Sequence, residues 1–197
     1  PLHTADDLVE ATKDAGVYVH VSGLLKRVAV KISKICNDLR LLSSGPRAGL
    51  GELHLPAVQA GSSIMPGKVN PVIPEVVNQI AYDVIGQDVA ISLAAEGGQL
   101  QLNAFGPLIA HSLLQSLEQL ERGCTVLTER CVQGITADLE RIQEHMRRSI
   151  SIVTALNPHI GYVQATEVAN EALRSGHSVS TVVLDKQLLT RDQLDDI

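Results

Sequence analysis

The segment from Val72 to about Glu96 constrains this chain more than any other. It places apolar residues at Val72, Ile73, Val76, Val77, Ile80, Val84, Ile85, Val89 and Leu93, which together cover most of a helix's circumference. A helix with so little polar surface is predicted to run through the middle of a bundle. At 1.5 Å per residue it is roughly 37 Å long. Gly97-Gly98 ends or kinks it.

Two further segments share this texture. Between His20 and Leu42, apolar residues fall at Val21, Leu24, Leu25, Val28, Ile32, Ile35, Cys36, Leu39 and Leu42. That spacing predicts a helix with one broad buried stripe, with Lys26, Arg27, Lys31 and Lys34 mostly off it. Gly45-Pro46 is a firm stop. A third long helix is predicted from about Pro107 to Val132, with Leu113, Leu117, Leu120, Cys124, Leu127 and Cys131 along its core face. Aromatic residues make up only 2% of the chain, and aliphatic cores of this kind are usually built by helices packing ridges into grooves. The fold class is therefore all-α, a long antiparallel helix bundle. From Gly134 the segments become shorter and more charged (137–149, 161–175 closed by Gly176, 179–189), and Thr190-x-x-Gln193 is a capping box that begins another helix. The domains are read as residues 1–134, the bundle, and residues 135–197, a small helical C-terminal domain.

The net charge of −6 offers no field for nucleic acid or an anionic membrane. No apolar run reaches the length of a membrane span, and no signal peptide is visible. Cys36, Cys124 and Cys131 lie inside apolar helical patterns without metal-ligand spacing, so they are read as reduced core thiols of an intracellular, cytoplasmic protein, and no metal site is expected. The chain begins at Pro1 and stops about two turns after Thr190. It is expected to be part of a longer polypeptide, truncated in its C-terminal domain.

Residues 43–70 break the periodicity. A connection this long in a compact domain is functional or disordered, and its composition favours function. Residues 61–71 read Gly-Ser-Ser-Ile-Met-Pro-Gly-Lys-Val-Asn-Pro. Gly61 and Gly67 allow unusual backbone angles or close approach to a ligand, while Pro66 and Pro71 limit how far the loop wanders. Ser62, Ser63, Lys68 and Asn70 are side chains that grip a carboxylate. Lys68 and Asn70 are two residues apart and in an extended segment point the same way; the alternative is a solvated lysine and a turn asparagine. A serine surrounded by N–H donors and a cation ionises more easily than a free one. Glu75, just after Pro74, is either a reacting carboxylate or one favoured by a helix N-terminus. His54 is a single histidine upstream of the loop and is read as a surface or satisfied residue. Arg40 and Arg47 are expected to hold the loop through carboxylates and carbonyls.

The pattern Gly-Ser-Ser-x-Met-Pro-x-Lys-x-Asn-Pro resembles the signature loop of the aspartase/fumarase superfamily, whose members eliminate fumarate from succinyl-type substrates. The following 72–79, Val-Ile-Pro-Glu-Val-Val-Asn-Gln, is similar to aspartate ammonia-lyases (aspartases), whereas class II fumarases usually continue with Thr-Gln-Cys-Glu. Residues 33–50, Gly134–Ala137 and Ala155–Tyr162 also resemble aspartases; Gly106 departs from them, standing where they commonly carry glutamate.

The resemblance implies that Ser62 is the general base and that Ser63, Lys68 and Asn70 bind the substrate, with Met65 packing beside it. It further implies that Glu75 pairs with a histidine of another subunit in a relay near the substrate. His159 would be structural or part of a mobile cover. The expected reaction is reversible elimination of ammonia from L-aspartate, through an enediolate, with no organic cofactor; divalent-cation activation stays open. The expected assembly is a homotetramer whose active sites are shared between subunits. Residues matching the family's other two substrate-binding regions are not found in this chain, so these 197 residues alone are expected to be inactive. Two alternatives remain: a class II fumarase hydrating fumarate to malate, and a non-catalytic helical interaction module.

Overall fold

The computed structural model describes residues 3–59 and 68–197, which divide into two units, Pro1–Thr136 and Ala137–Ile197. The chain is all-α: two-residue strands β1 (Leu53–His54) and β2 (Thr136–Ala137) form the only sheet among the described residues.

The first unit is built on three long helices: α2 (Gly16–Leu42), α3 (Val72–Glu96) and α4 (Gly106–Arg130), preceded by the short α1 (Leu8–Lys13). The hydrogen bonds between α2 and α3 join Ser22 to Asp88 and Ser33 to Asn78, so one helix rises as the other falls. Ser112 of α4 likewise bonds Gln87 of α3. Each neighbouring pair is antiparallel. Besides Ser112, buried positions on α4 fall at Ile109, Leu113, Ser116, Leu120, Gly123 and Leu127, alternating steps of four and three. That is the seam of helices crossing at a shallow angle. Three apolar layers fill the bundle, around Ile91 and Ile109, around Ala29, Val84 and Leu120, and around Cys36, Val77 and Leu127.

The buried stripes are not all those the periodicity suggested. On α2 the inward residues are Ser22, Ala29, Ser33 and Cys36, while Val21, Leu24, Val28 and Ile35 are exposed. On α4, Leu117 and Cys124 face outward, so Cys124 is not a core thiol. The reason is that each helix carries two apolar seams, and within this chain only one is covered. The outer seam of α2 runs Val17, Val21, Leu24, Val28 and Ile35, itself in steps of four and three with one omission.

Most polar groups that enter the bundle are hydrogen-bonded there, although Ser116 Oγ and Gln119 Oε1 are buried with no hydrogen-bond partner among the described residues. Asp88, whose side chain is 9% exposed, accepts from Ser22 Oγ at 2.7 Å and from Lys26 Nζ at 2.8 Å. Burial pushes its carboxyl up, but the hydrogen bonds from Lys26 and Ser22 and the charge of Lys26 outweigh that and hold it below the ordinary carboxylate range. Removing Lys26 leaves a buried carboxylate on one hydroxyl. Breaking a buried pair costs roughly 3–5 kcal/mol, and Lys26 stands half in solvent (47% exposed), which reduces its share. We expect Lys26→Met to destabilise the protein by about 2 kcal/mol at pH 7. A lowered native pKa stabilises above the unfolded value and is lost as pH falls through the native one. The gap between variant and wild type should therefore narrow below about pH 4, as urea unfolding at pH 7 and pH 3 will read; an equal gap at both would sink the assignment.

The second unit packs α6 (Val153–Ile160), α7 (Tyr162–Ser175) and α8 (Val179–Asp185) around Leu156, Val168, Val179 and Val183, with α5 (Leu139–Arg148) and α9 (Arg191–Asp195) alongside in sequence. Its termini follow local rules. Asp138 Oδ1 accepts from Arg141 N at 2.9 Å, capping α5. Gly176 closes α7 at φ +73°, the left-handed conformation glycine adopts without cost. The Thr190–Gln193 capping box is formed in both directions. The second helix of this unit runs through Pro158, where Asn-Pro reads as a breaker.

Candidate active site

Ser62, Ser63 and Met65 lie outside the described residues, as do Gly61, Pro66 and Gly67. What the structure places is the frame on either side of them.

Downstream, Lys68 and Asn70 are both half-buried, while Val69 between them is 53% exposed. This alternation is that of an extended segment. The Asn70 carbonyl accepts from Val72 N at 2.9 Å, and the Pro71 carbonyl from Glu75 N at 3.1 Å, the first helical bond of α3. Pro71 and Pro74 fit here because a first helical turn has no use for their missing N–H groups. Glu75 is half-buried in that turn, where the helix dipole favours a carboxylate. Three of the expected site residues thus fall on eight consecutive residues at the entry to α3.

Both ends of the loop are pinned to the same layer of the core. Leu55 before it and Ile73 after it pack against Cys36, Val77, Leu127 and Cys131. Burial, with a smaller contribution from Cys131, pushes the Cys36 thiol up to about 11, against the pull of Arg40; burial also raises Cys131. Both are apolar filling, not nucleophiles. Closer to α2, Leu50 N donates to Ser44 Oγ at 3.1 Å and Glu52 N to the Leu42 carbonyl at 2.9 Å. Gly49 lies so close to Ser44 that a Cβ would stand 2.5 Å from its carbonyl group. Gly134 approaches Pro56 in the same way, at 2.6 Å.

Arg40 differs from expectation. Its Nη1 donates to the side-chain oxygens of Asn37 (3.4 Å) and Asn78 (3.3 Å), joining two helices. It sits in the last turn of α2, within hydrogen-bond reach of Asn78 on α3. His54 is exposed on β1. His159 is exposed on the helix through Pro158. A Cβ at Gly106 would meet nothing within 4 Å, so the departure there disturbs no contact of this chain.

The polar residue that sequence reasoning passed over is Asn78. It is 2% exposed, and its Nδ2 donates to the Ser33 carbonyl (3.0 Å) and Ser33 Oγ (2.9 Å). The available signal was a polar residue at an inward position of a helix that is otherwise apolar on most sides.

Two family models match the chain, "Lyase" over residues 1–86 and "Fumarase C C-terminus" over residues 152–197. Both matches, with the relatives below, place the chain's similarity in the aspartase/fumarase superfamily. Among named relatives, the aspartate ammonia-lyase of Helicobacter pylori is 59% identical over all 197 residues, which cover 42% of that protein. The fumarate lyase:delta crystallin of Brucella melitensis, in a crystal structure bound to cobalt, is 57% identical with a TM-score of 0.91, over 98% of this chain and 42% of that one. A class II fumarase from Schistosoma mansoni is 35% identical with a TM-score of 0.90, over 100% and 41%. The chain therefore spans about two-fifths of the length of the relatives it matches.

Proposed function

We propose that the protein to which this chain belongs is an aspartate ammonia-lyase, converting L-aspartate reversibly to fumarate and ammonia. The observation that carries this reading is the contrast in identity, 59% to an aspartate ammonia-lyase against 35% to a class II fumarase, at nearly equal lengths of match. The sequence after the loop, Val72–Gln79, leans the same way.

The chemistry runs as follows. Ser62, as alkoxide, takes the proton from the carbon next to the side-chain carboxylate of aspartate. The electron pair of the broken C–H bond moves into that carboxylate, giving an enediolate held by surrounding donors. It then returns to form the carbon–carbon double bond as the C–N bond breaks. The nitrogen leaves with the bonding pair as ammonia, so the departing group needs no added proton. Lys68 and Asn70 clamp a substrate carboxylate by charge and amide donation, with Ser63 and Met65 against the substrate. Glu75 joins a histidine of another subunit in a relay. No step calls for an organic cofactor. Divalent-cation activation remains part of the proposal through the cobalt-bound Brucella relative; among the described residues no group of three or more His, Cys, Asp and Glu is placed to hold a metal ion.

A homotetramer with shared sites is supported by the uncovered apolar seams. Val21, Leu24 and Val28 on α2, Tyr82, Val89 and Leu93 on α3, and Leu114 and Leu117 on α4 are all exposed in the single chain. Seams of this spacing are what further helices cover. Free thiols at Cys36, Cys124 and Cys131 fit a reducing compartment, hence the cytoplasm. Among the described residues no helix is long and apolar enough to cross a membrane.

The test is absorbance at 240 nm with the intact gene product, given L-aspartate and then L-malate. Fumarate from aspartate supports the reading. Fumarate from malate alone transfers it to the fumarase, and no product from either to the interaction module. Within the same assay, Lys68→Met should raise KM for L-aspartate by about 10- to 100-fold, the loss of one charge-assisted hydrogen bond. An unchanged KM would remove Lys68 from the clamp.

A further inference from the structure

We propose that Asn78 is a positioning residue for this reaction: with Ser33 and Arg40 it locks the first turns of α3, and so fixes where Glu75 and the Lys68–Asn70 segment stand. The inference rests on the ammonia-lyase reading for its reaction, and on the hydrogen bonds around Asn78 for its geometry.

Asn78 spends three of its four hydrogen-bonding positions on α2: both amide hydrogens on Ser33, at 3.0 and 2.9 Å, and its oxygen on Arg40, at 3.3 Å. The amide and Ser33 are both buried. Around them the layer of Cys36, Val77 and Leu127 is apolar, and apolar contact is non-directional. Such a layer sets the rotation and axial offset of two helices less sharply than a directional bond does. The amide does set them, because its bonds are satisfied only at one register. Glu75 lies three residues before Asn78 and thus on the same side of α3. Asn70 and Pro71 are tied by backbone bonds to Val72 and Glu75. A rotation of the first turn of α3 therefore carries all three expected site residues with it. A fully satisfied buried network makes this part rigid, and displacement of reacting groups by about 1 Å can cost 10²-fold in rate.

The experiment compares three variants of the intact protein. Asn78→Ala removes every bond of the network. Asn78→Asp keeps an oxygen for Arg40 but replaces the donor to the Ser33 carbonyl with a carboxylate oxygen, so an acceptor faces an acceptor. Val84→Ala, deep in the middle layer and away from the loop, supplies a loss of thermal stability without touching the network. All are assayed well below their melting temperatures. Asn78→Ala should lower kcat/KM for L-aspartate by about 10²-fold, Asn78→Asp should lose no less, and Val84→Ala should retain it even with an equal or larger fall in melting temperature. If Asn78→Ala keeps full activity, or loses no more than Val84→Ala at matched stability, the residue is merely structural and the proposal is overturned. Should the wild type act on L-malate instead, the ammonia-lyase reading fails and the same ratios are read with malate. Should it act on neither, amide hydrogen exchange over residues 72–79 decides: about tenfold faster in Asn78→Ala than in Val84→Ala supports the lock, and equal rates overturn it.

Discussion

Replacing Ser62 with alanine in the intact protein lowers kcat for fumarate formation from L-aspartate by about 10²–10⁴-fold, the usual worth of a positioned general base. The proton to be removed is weakly acidic, and water is a poor substitute for an alkoxide held beside it. KM should change little, since the clamp assigned to Lys68 and Asn70 remains. The melting temperature should also hold, because the substitution removes one hydroxyl and leaves the apolar anchors of the loop, Leu55 and Ile73, in the core. Progress curves at 240 nm and a thermal melt separate these effects. Normal turnover in Ser62→Ala would sink the serine-base mechanism whatever the substrate turns out to be.

The second large effect is on the smaller unit. Leu156 is 1% exposed at the centre of a cluster formed by Ile160, Ala165, Val168, Ala172, Val179, Val182 and Val183. Nearly every neighbour is small or β-branched, so little can move in to fill a void. Leu156→Ala should cost about 2–5 kcal/mol. A domain of roughly 60 residues buries only a modest share of its surface and has little stability to spare. At about 4–8 °C per kcal/mol for a domain this small, the unfolding transition of Ala137–Ile197 should fall by about 8–40 °C. Proteolysis should then cut within residues 137–197 while the three-helix bundle resists. A transition within a few degrees of wild type would mean that this cluster does not hold the unit together.

Much of the architecture was legible because it depends on neighbours in sequence. The helix after Pro71 runs from Val72 to Glu96, as read, since Pro71, Pro74 and Gly97 mark its ends by backbone chemistry alone. Gly176 and the Thr190–Gln193 box act within one turn and appear where expected. The proposed site residues, Ser62, Ser63, Met65, Lys68, Asn70 and Glu75, lie within fourteen consecutive residues, so the sequence lets their chemistry be weighed together; the structure describes Lys68, Asn70 and Glu75 among them. The helix through Pro158 was not legible, because a proline inside the helix is tolerated only where packing compensates, here with Leu156 and Ile160 buried on either side.

Periodicity and turn chemistry act over a few residues, so the three long helices could be read from the sequence to within a few residues of their ends. Only the tertiary structure decided which apolar seam of α2 is covered, since Val21 and Leu25 are equally hydrophobic and their fate depends on what packs beside them. It alone made buried partners of Ser33 and Asn78, 45 residues apart, and of Ser22 and Asp88, 66 apart. Burying a polar side chain is costly unless a partner is delivered to it, and for these pairs that delivery is the work of the folded bundle.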